Sequence, residues 1–175
     1  MQDFKDWCEQ NSSIPEEEDT VFVGHFEYEA YPNQFFRVFL TTKMLVKFAL
    51  EAKFILSDAT YKLTYGNFPA ITGGTTDRAK KFHPFGLALC TSEKEIDFAF
   101  FFKAIKLIAE KIYNKMIDPR IVIADNAEAI ANGFEQSLEV QAYDLINAPE
   151  ENAIFDDDLT SLDDTSKRPR FDDSV

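Results

Sequence analysis

Two aspartates, Asp58 and Asp125, occupy positions where a carboxylate could hold a metal ion. Each follows a short apolar run, 53–57 before Asp58 and 120–124 before Asp125, and such runs are typical of buried strands. If the two strands are parallel neighbours, both carboxylates lie at the same end of the sheet. Paired carboxylates suit Mg²⁺ or Mn²⁺, ions that activate water and stabilise the leaving oxygen in phosphodiester cleavage.

Simpler structural roles are available to both aspartates. Asp125 and Glu128 have the spacing of a capping box, so Asp125 could cap the helix that follows it. Asp58 could be a turn residue before Ala59 and Thr60. Spacing alone leaves the structural and the metal-binding interpretations open.

The elements that would position these aspartates alternate between strands and helices. Hydrophobic periodicity and turn residues predict a short helix, a hairpin, a helix, a strand, a second hairpin, a long helix, a strand and a last helix. Their approximate ranges are 3–10, 21–28 with 34–40, 42–49, 53–58, 70–76 with 82–90, 92–118, 120–124 and 127–138. This order predicts a mixed α/β sheet in which antiparallel hairpins accompany one parallel strand pair.

Particular residues are expected to begin or interrupt these elements. Thr42 is the predicted N-cap of the second helix, and Ser92 with Glu95 has the spacing of a capping box for the long helix. The Asp118-Pro119 pair should end that helix. A Gly73-Gly74 pair inside a strand is typical of a β-bulge rather than of a phosphate loop.

Several segments around the two aspartates occur in a fixed order. They are 35–37 (FFR), Thr41-Thr42, 58–62 (DATYK) with Tyr65 and Pro69, 85–89 (FGLAL) and 123–130 (IADNAEAI). Together they resemble the catalytic domain of Mutator-like (MULE) transposases, a DDE-type family with a ribonuclease H-like fold. The resemblance covers about 21–138, and it implies a ribonuclease H-like α/β fold with flanking helices.

The resemblance also implies a function. Asp58 and Asp125 would be catalytic metal ligands for Mg²⁺ or Mn²⁺, and transposon-end DNA would be the partner in metal-dependent cleavage and strand transfer. In the family a glutamate on a later helix completes the triad, but Glu128, Glu135 and Glu139 do not occupy that position. We therefore expect a domain incomplete at its C-terminal end: a partial transposase that is not catalytically complete alone or, alternatively, a transposase-derived interaction or regulatory protein.

Composition and charge divide the chain into three parts. The 175 residues are 45% hydrophobic and include eighteen phenylalanines, which predicts one ring-rich core. The net charge of -13 lies at the ends, because 1–20 and 144–175 are strongly acidic while the segment between them is neutral. We expect a helix and acidic linker at 1–20, the partial transposase domain at 21–146 and a disordered acidic tail at 147–175. This balance argues against nucleic-acid binding by overall charge, but it allows a local basic patch.

Two further groups of residues are candidate sites. Four basic residues near the second hairpin could contact phosphates, although a solvated turn also explains them: Lys62, Arg78, Lys80 and Lys81. Four residues of the zinc-binding type lack the short spacing of such a site: Cys8, His25, His83 and Cys90.

The remaining expectations concern location and association. Two unpaired cysteines, no signal peptide and no apolar run of about 18 residues predict a protein of a reducing compartment without a membrane partner. The basic cluster 167–170 (KRPR) favours the nucleus over the cytoplasm. The apolar strand at 120–124 would have one unpaired edge, which predicts a homo-oligomer or a transposase partner unless 140–146 covers that edge.

Overall fold

A computed structural model describes residues 2–60, 66–124 and 128–138, and within them the predicted order of elements is confirmed. The helices are α1 (Gln2–Gln10), α2 (Lys43–Glu51), α3 (Glu95–Tyr113) and α4 (Glu128–Leu138). The strands are β1 (Phe22–Glu29), β2 (Phe35–Thr41), β3 (Phe54–Thr60), β4 (Ala70–Thr76), β5 (Phe82–Cys90) and β6 (Ile121–Ile123). None of the helices in these ranges is long and apolar enough to cross a membrane.

All six strands belong to one mixed sheet with the order β1-β2-β5-β4-β3-β6. The pairs β1–β2, β2–β5, β4–β5 and β3–β4 are antiparallel. The pair β3–β6 is parallel, with Phe54 opposite Ile121 and Leu56 opposite Ile123. Both predicted hairpins and the predicted parallel pair are therefore confirmed.

Phenylalanine rings fill the core between the sheet and its helices, as the composition predicts. Phe101 of α3 meets Phe39 of β2 edge to face at 5.6 Å, and Phe102 meets Phe134 of α4 at 5.3 Å. All four rings are fully buried. The other face of β1 and β2 packs against α1 in a smaller cluster around Cys8. Edge-to-face ring pairs contribute about 0.5–1.5 kcal/mol each beyond their buried area, so these contacts stabilise the attachment of α3 and α4.

The paired glycines of β4 form the predicted irregularity. The register of β4 against β5 shifts between Gly73 and Gly74, which is the signature of a β-bulge. A Cβ atom on Gly73 would lie 2.5 Å from the ring of Phe101. The absence of a side chain there lets α3 pack directly onto the centre of the sheet.

Both predicted ends of α3 were wrong. The N-cap is Lys94 rather than Ser92, and Asp97 completes the capping box. Asp97 is held there because its carboxylate also binds Arg37 of β2. The helix ends at Tyr113, where Asn114 adopts a left-handed conformation (φ 51°) and donates its N–H to the carbonyl of Glu110. That cap satisfies the helix end before Asp118-Pro119 is reached.

Several predictions lie outside the described residues. They concern Lys62, Asp125, Glu139, the covering role of 140–146, the acidic tail 147–175 and its basic cluster 167–170. In the described part β6 pairs only with β3, and self-association through its other edge stays a prediction.

Candidate metal centre

Asp58 lies near the C-terminal end of β3, on the face of the sheet opposite the main core. Ile55 and Ser57 are buried, whereas Asp58, which directly follows Ser57, is exposed. Because successive side chains of a strand point to opposite faces, Asp58 shares its face with Leu56. The apolar run thus anchors the strand while the carboxylate stays accessible to solvent.

The local contacts of Asp58 fix its backbone and leave coordinating capacity on its side chain. Asp58 is opposite Thr72 of β4 in the antiparallel ladder. One carboxylate oxygen, Oδ1, accepts the N–H of Ala59 at 2.8 Å. The carboxylate forms no ion pair with another described residue. An exposed carboxylate with oxygen lone pairs to spare suits a hard divalent cation.

The position of β6 bears on the second predicted ligand. Ile123, the last residue of β6, is opposite Leu56. Asp58 follows Leu56 by two residues, and Asp125 follows Ile123 by two residues in the sequence. The structure confirms the parallel neighbours on which the metal hypothesis depends, while Asp125 itself lies outside the described residues.

Two of the three acids that could supply a third ligand are surface residues of α4. Glu128 and Glu135 are exposed, and Glu139 follows the described part of the helix. Within 2–60, 66–124 and 128–138, no group of three His, Cys, Asp or Glu residues is arranged to hold a metal ion.

The four residues of the zinc-binding type have separate structural roles. Cys8 and Cys90 are buried free thiols, and burial raises their pKa values to about 11 and about 12. His25 stacks on Phe100 with ring centroids 5.5 Å apart. His83 lies with Nε2 3.0 Å from a carboxylate oxygen of Asp77. Thiols with raised pKa values are poor metal ligands because the thiolate is the ligating form.

A buried charged cluster that the sequence analysis missed joins α3 to the sheet. The Nε atom of Arg37 donates to Oδ1 of Asp97 at 2.6 Å, and its Nη1 donates to Glu27 at 2.9 Å. The hydroxyl of Ser92 donates to the other oxygen of Asp97 at 2.6 Å. Burial opposes the charge of Arg37, but the hydrogen bonds that the guanidinium donates to the two carboxylates outweigh burial and raise the pKa of the guanidinium. The available signal was one of two acids in the first turn of α3, Asp97, at the start of an aromatic helical run.

The protein therefore has a mixed α/β fold, and its candidate site is an exposed aspartate on β3, one strand of the parallel pair. The model of one family, the MULE transposase domain, matches residues 54–145, which is more than half of the chain. The chain belongs to the MULE transposase domain family, as the sequence resemblance indicated. Membership suggests a transposase-related function and implies DNA as a partner. No curated protein and no solved structure gives a significant match to the chain.

Proposed function

We propose that this chain supplies two metal-binding aspartates, Asp58 and Asp125, to a transposase that cleaves and joins DNA in the nucleus. The observation that supports the proposal most directly is the parallel register of β3 and β6. Leu56 and Ile123 are opposite each other, and each of the two aspartates follows one of them by two residues in the sequence. The strand order β5-β4-β3-β6 agrees with a ribonuclease H-like sheet. Carboxylates at the ends of neighbouring parallel strands converge on one point.

The residues of the chain have distinct tasks in this proposal. Asp58 binds Mg²⁺ or Mn²⁺, and Ala59 orients its carboxylate through the N–H bond to Oδ1. The ladder contacts with Thr72 hold the backbone of Asp58 against displacement. When bound, the divalent ion would supply an activated water and charge stabilisation at the leaving oxygen.

Catalytic completeness is a separate part of the proposal. Two aspartates supply only part of the octahedral set of six oxygen ligands that these ions take. We propose that the site requires a further carboxylate, and that residues 1–175 alone bind the ion without efficient DNA cleavage.

The test is calorimetric titration of the full chain with Mn²⁺. Asp58→Asn and Asp125→Asn should each abolish most of the binding heat, because the amide retains the shape of the side chain and loses its charge. Asp118→Asn is the matched control, since Asp118 is also an exposed aspartate and the substitution removes the same charge. Unchanged Mn²⁺ binding in both site variants would overturn the metal proposal and favour a non-enzymatic interaction protein. Mn²⁺-dependent strand cleavage that Asp58→Asn abolishes would instead refute the claim of incompleteness.

A further inference from the structure

A group of exposed cations lies at the end of the sheet opposite Asp58, and we call it the basic end. Its members are contributed by the starts of β3 and β6 and by the β4–β5 turn. They are Lys53, Arg78, Lys80, Lys81 and Arg120, all of them exposed.

Sheet pairing brings these cations together from distant parts of the sequence. The N–H of Arg120 donates to the carbonyl of Lys53 at 3.0 Å, so the starts of β6 and β3 are adjacent. Leu56 of β3 is opposite Gly74 of β4, and the two strands are antiparallel. The end of β4 and the turn that follows therefore lie beside Lys53.

The turn is ordered by its own aspartate. Oδ1 of Asp77 accepts the N–H of Lys81 at 2.9 Å, and Oδ2 lies 3.0 Å from the ring nitrogen of His83. The hydrogen bond with His83 and the backbone bond from Lys81 lower the pKa of Asp77. The carboxylate is thus engaged within the turn, while Lys80 and Lys81 point their charges to solvent.

The nearby acids leave most of these charges uncompensated. Arg120 has one loose neighbour, Asp118, at 3.8 Å with both side chains 80% exposed. No ion pair within the described residues involves the other four cations. An exposed cluster of unpaired cations in a domain of balanced charge is suited to a polyanion, and surface ion pairs of the Arg120 type contribute little.

We propose that the basic end is a second DNA contact, which binds the phosphodiester backbone away from the candidate metal centre. Five residues of β-strand separate Lys53 from Asp58, a distance of about 16 Å at the usual rise per residue. One DNA strand spans that distance in about five nucleotides. The basic end would therefore hold DNA flanking the phosphate at Asp58. The choice of DNA among polyanions rests on the proposed function.

The test compares two double variants of the full chain. Lys80→Gln with Lys81→Gln removes two charges from the basic end. Lys103→Gln with Lys106→Gln is the matched control, because these lysines of α3 line a separate depression with Glu27 and Gln136. Binding of a labelled DNA duplex is followed by fluorescence anisotropy at several salt concentrations.

The slope of log K against log salt is negative, and loss of two phosphate contacts should make it shallower by about 1.8. Raising the salt from about 50 to about 200 mM should then weaken DNA binding by a factor that is about twelve times smaller for the variant than for the wild type. The control variant should retain the wild-type slope. Equal weakening of both variants, or no salt-dependent binding by the wild type, would overturn the proposal.

A separate readout distinguishes this proposal from the metal proposal. The Lys80/Lys81 variant should keep wild-type Mn²⁺ binding. The salt slope should respond to the Lys80 and Lys81 substitutions to the same extent whether or not Asp58→Asn is also present. If Mn²⁺ binding is absent while the salt slope responds to Lys80 and Lys81, the metal proposal fails and the DNA contact stands.

Discussion

Gly133 of α4 lies against the backbone of α3, and substitution there tests the packing of the two helices. An ideal Cβ atom on Gly133 would lie 2.7 Å from Cβ of Phe98 and 2.8 Å from both the amide nitrogen of Ala99 and the carbonyl oxygen of Glu95. Two of these three atoms belong to the backbone of α3, so no side-chain rotation can relieve the contact. Gly133→Ala must move one helix away from the other.

The expected magnitude combines two opposing effects. Alanine is favoured over glycine inside a helix by about 1 kcal/mol, which would stabilise α4 in isolation. Overpacking of a tight contact costs about 1–3 kcal/mol. Helix separation also strains the hydrogen bond from Ser137 to the carbonyl of Ala99, now 2.8 Å, and such a bond contributes about 1 kcal/mol. We expect a net loss of about 1–2 kcal/mol in the free energy of unfolding.

Urea denaturation followed by far-ultraviolet circular dichroism provides the measurement. With a slope of about 2 kcal/mol/M, the expected loss lowers the urea midpoint by about 0.5–1 M. Ala131→Gly in the same helix is the control, because it measures the difference in helix propensity between alanine and glycine without adding an atom. An increase in the midpoint of Gly133→Ala would show that propensity dominates and that the helices are not in the close contact described.

Two other substitutions test ionisable groups inside the protein, the buried Asp97 and the half-buried His25. Asp97→Ala leaves Arg37 buried with only Glu27 as a partner, and breaking such a pair should lower the free energy of unfolding by about 3 kcal/mol, measured by urea denaturation. His25→Gln addresses acid sensitivity, because burial lowers the pKa of His25. A histidine whose pKa is lower in the folded state contributes stability that is present above its unfolded value of about 6.5 and is lost as the pH falls through the folded value. The urea midpoint of the wild type should therefore fall more than that of His25→Gln between about pH 7.5 and about pH 5.

Each of these results has an outcome that contradicts it. Asp118→Asn, an exposed substitution, should change stability by less than about 0.5 kcal/mol, and an equally small effect of Asp97→Ala would show that the buried pair is not held as described. For His25, parallel pH profiles of the wild type and the glutamine variant would mean that the histidine is solvated in the folded protein.

Local sequence signals were sufficient for most of the fold. Alternating aromatic and β-branched residues with turn clusters identified both hairpins, and Thr42 is the N-cap that its position predicted, with its side chain accepting the N–H of Leu45. The apolar runs before Asp58 and Asp125 identified β3 and β6 as strands, although each of them is buried on one face only. The order of elements predicted their parallel pairing. The strands, the hairpins and the cap depend on residues that are near one another in the sequence, whereas the parallel pair follows from the order of the elements.

Features that depend on tertiary contacts were not predicted. The start of α3 is set by the bond between Asp97 and Arg37, residues 60 positions apart, and no local pattern marks such a pair. The predicted helix also continued through Met116 to Asp118-Pro119, although α3 ends at Tyr113 and Met116 is 62% exposed. For the candidate site, the metal-binding role of the two aspartates stays a prediction from sequence, while the accessibility of Asp58 and the register of β3 with β6 required the structure.

The β3–β6 pairing also has a consequence for how the protein folds. Phe54 and Ile121, which are opposite each other, are far apart in the sequence, whereas β4 and β5 are joined by a turn of only five residues. The entropy of closing a chain grows with the logarithm of its length, so the long closure costs about 2 kcal/mol more than the short one. Contacts of high sequence separation form late. We therefore expect the β3–β6 pair beside Asp58 to form at the final step of folding, so that a chain stopped before that step would have its hairpins without the strand pair of the candidate site.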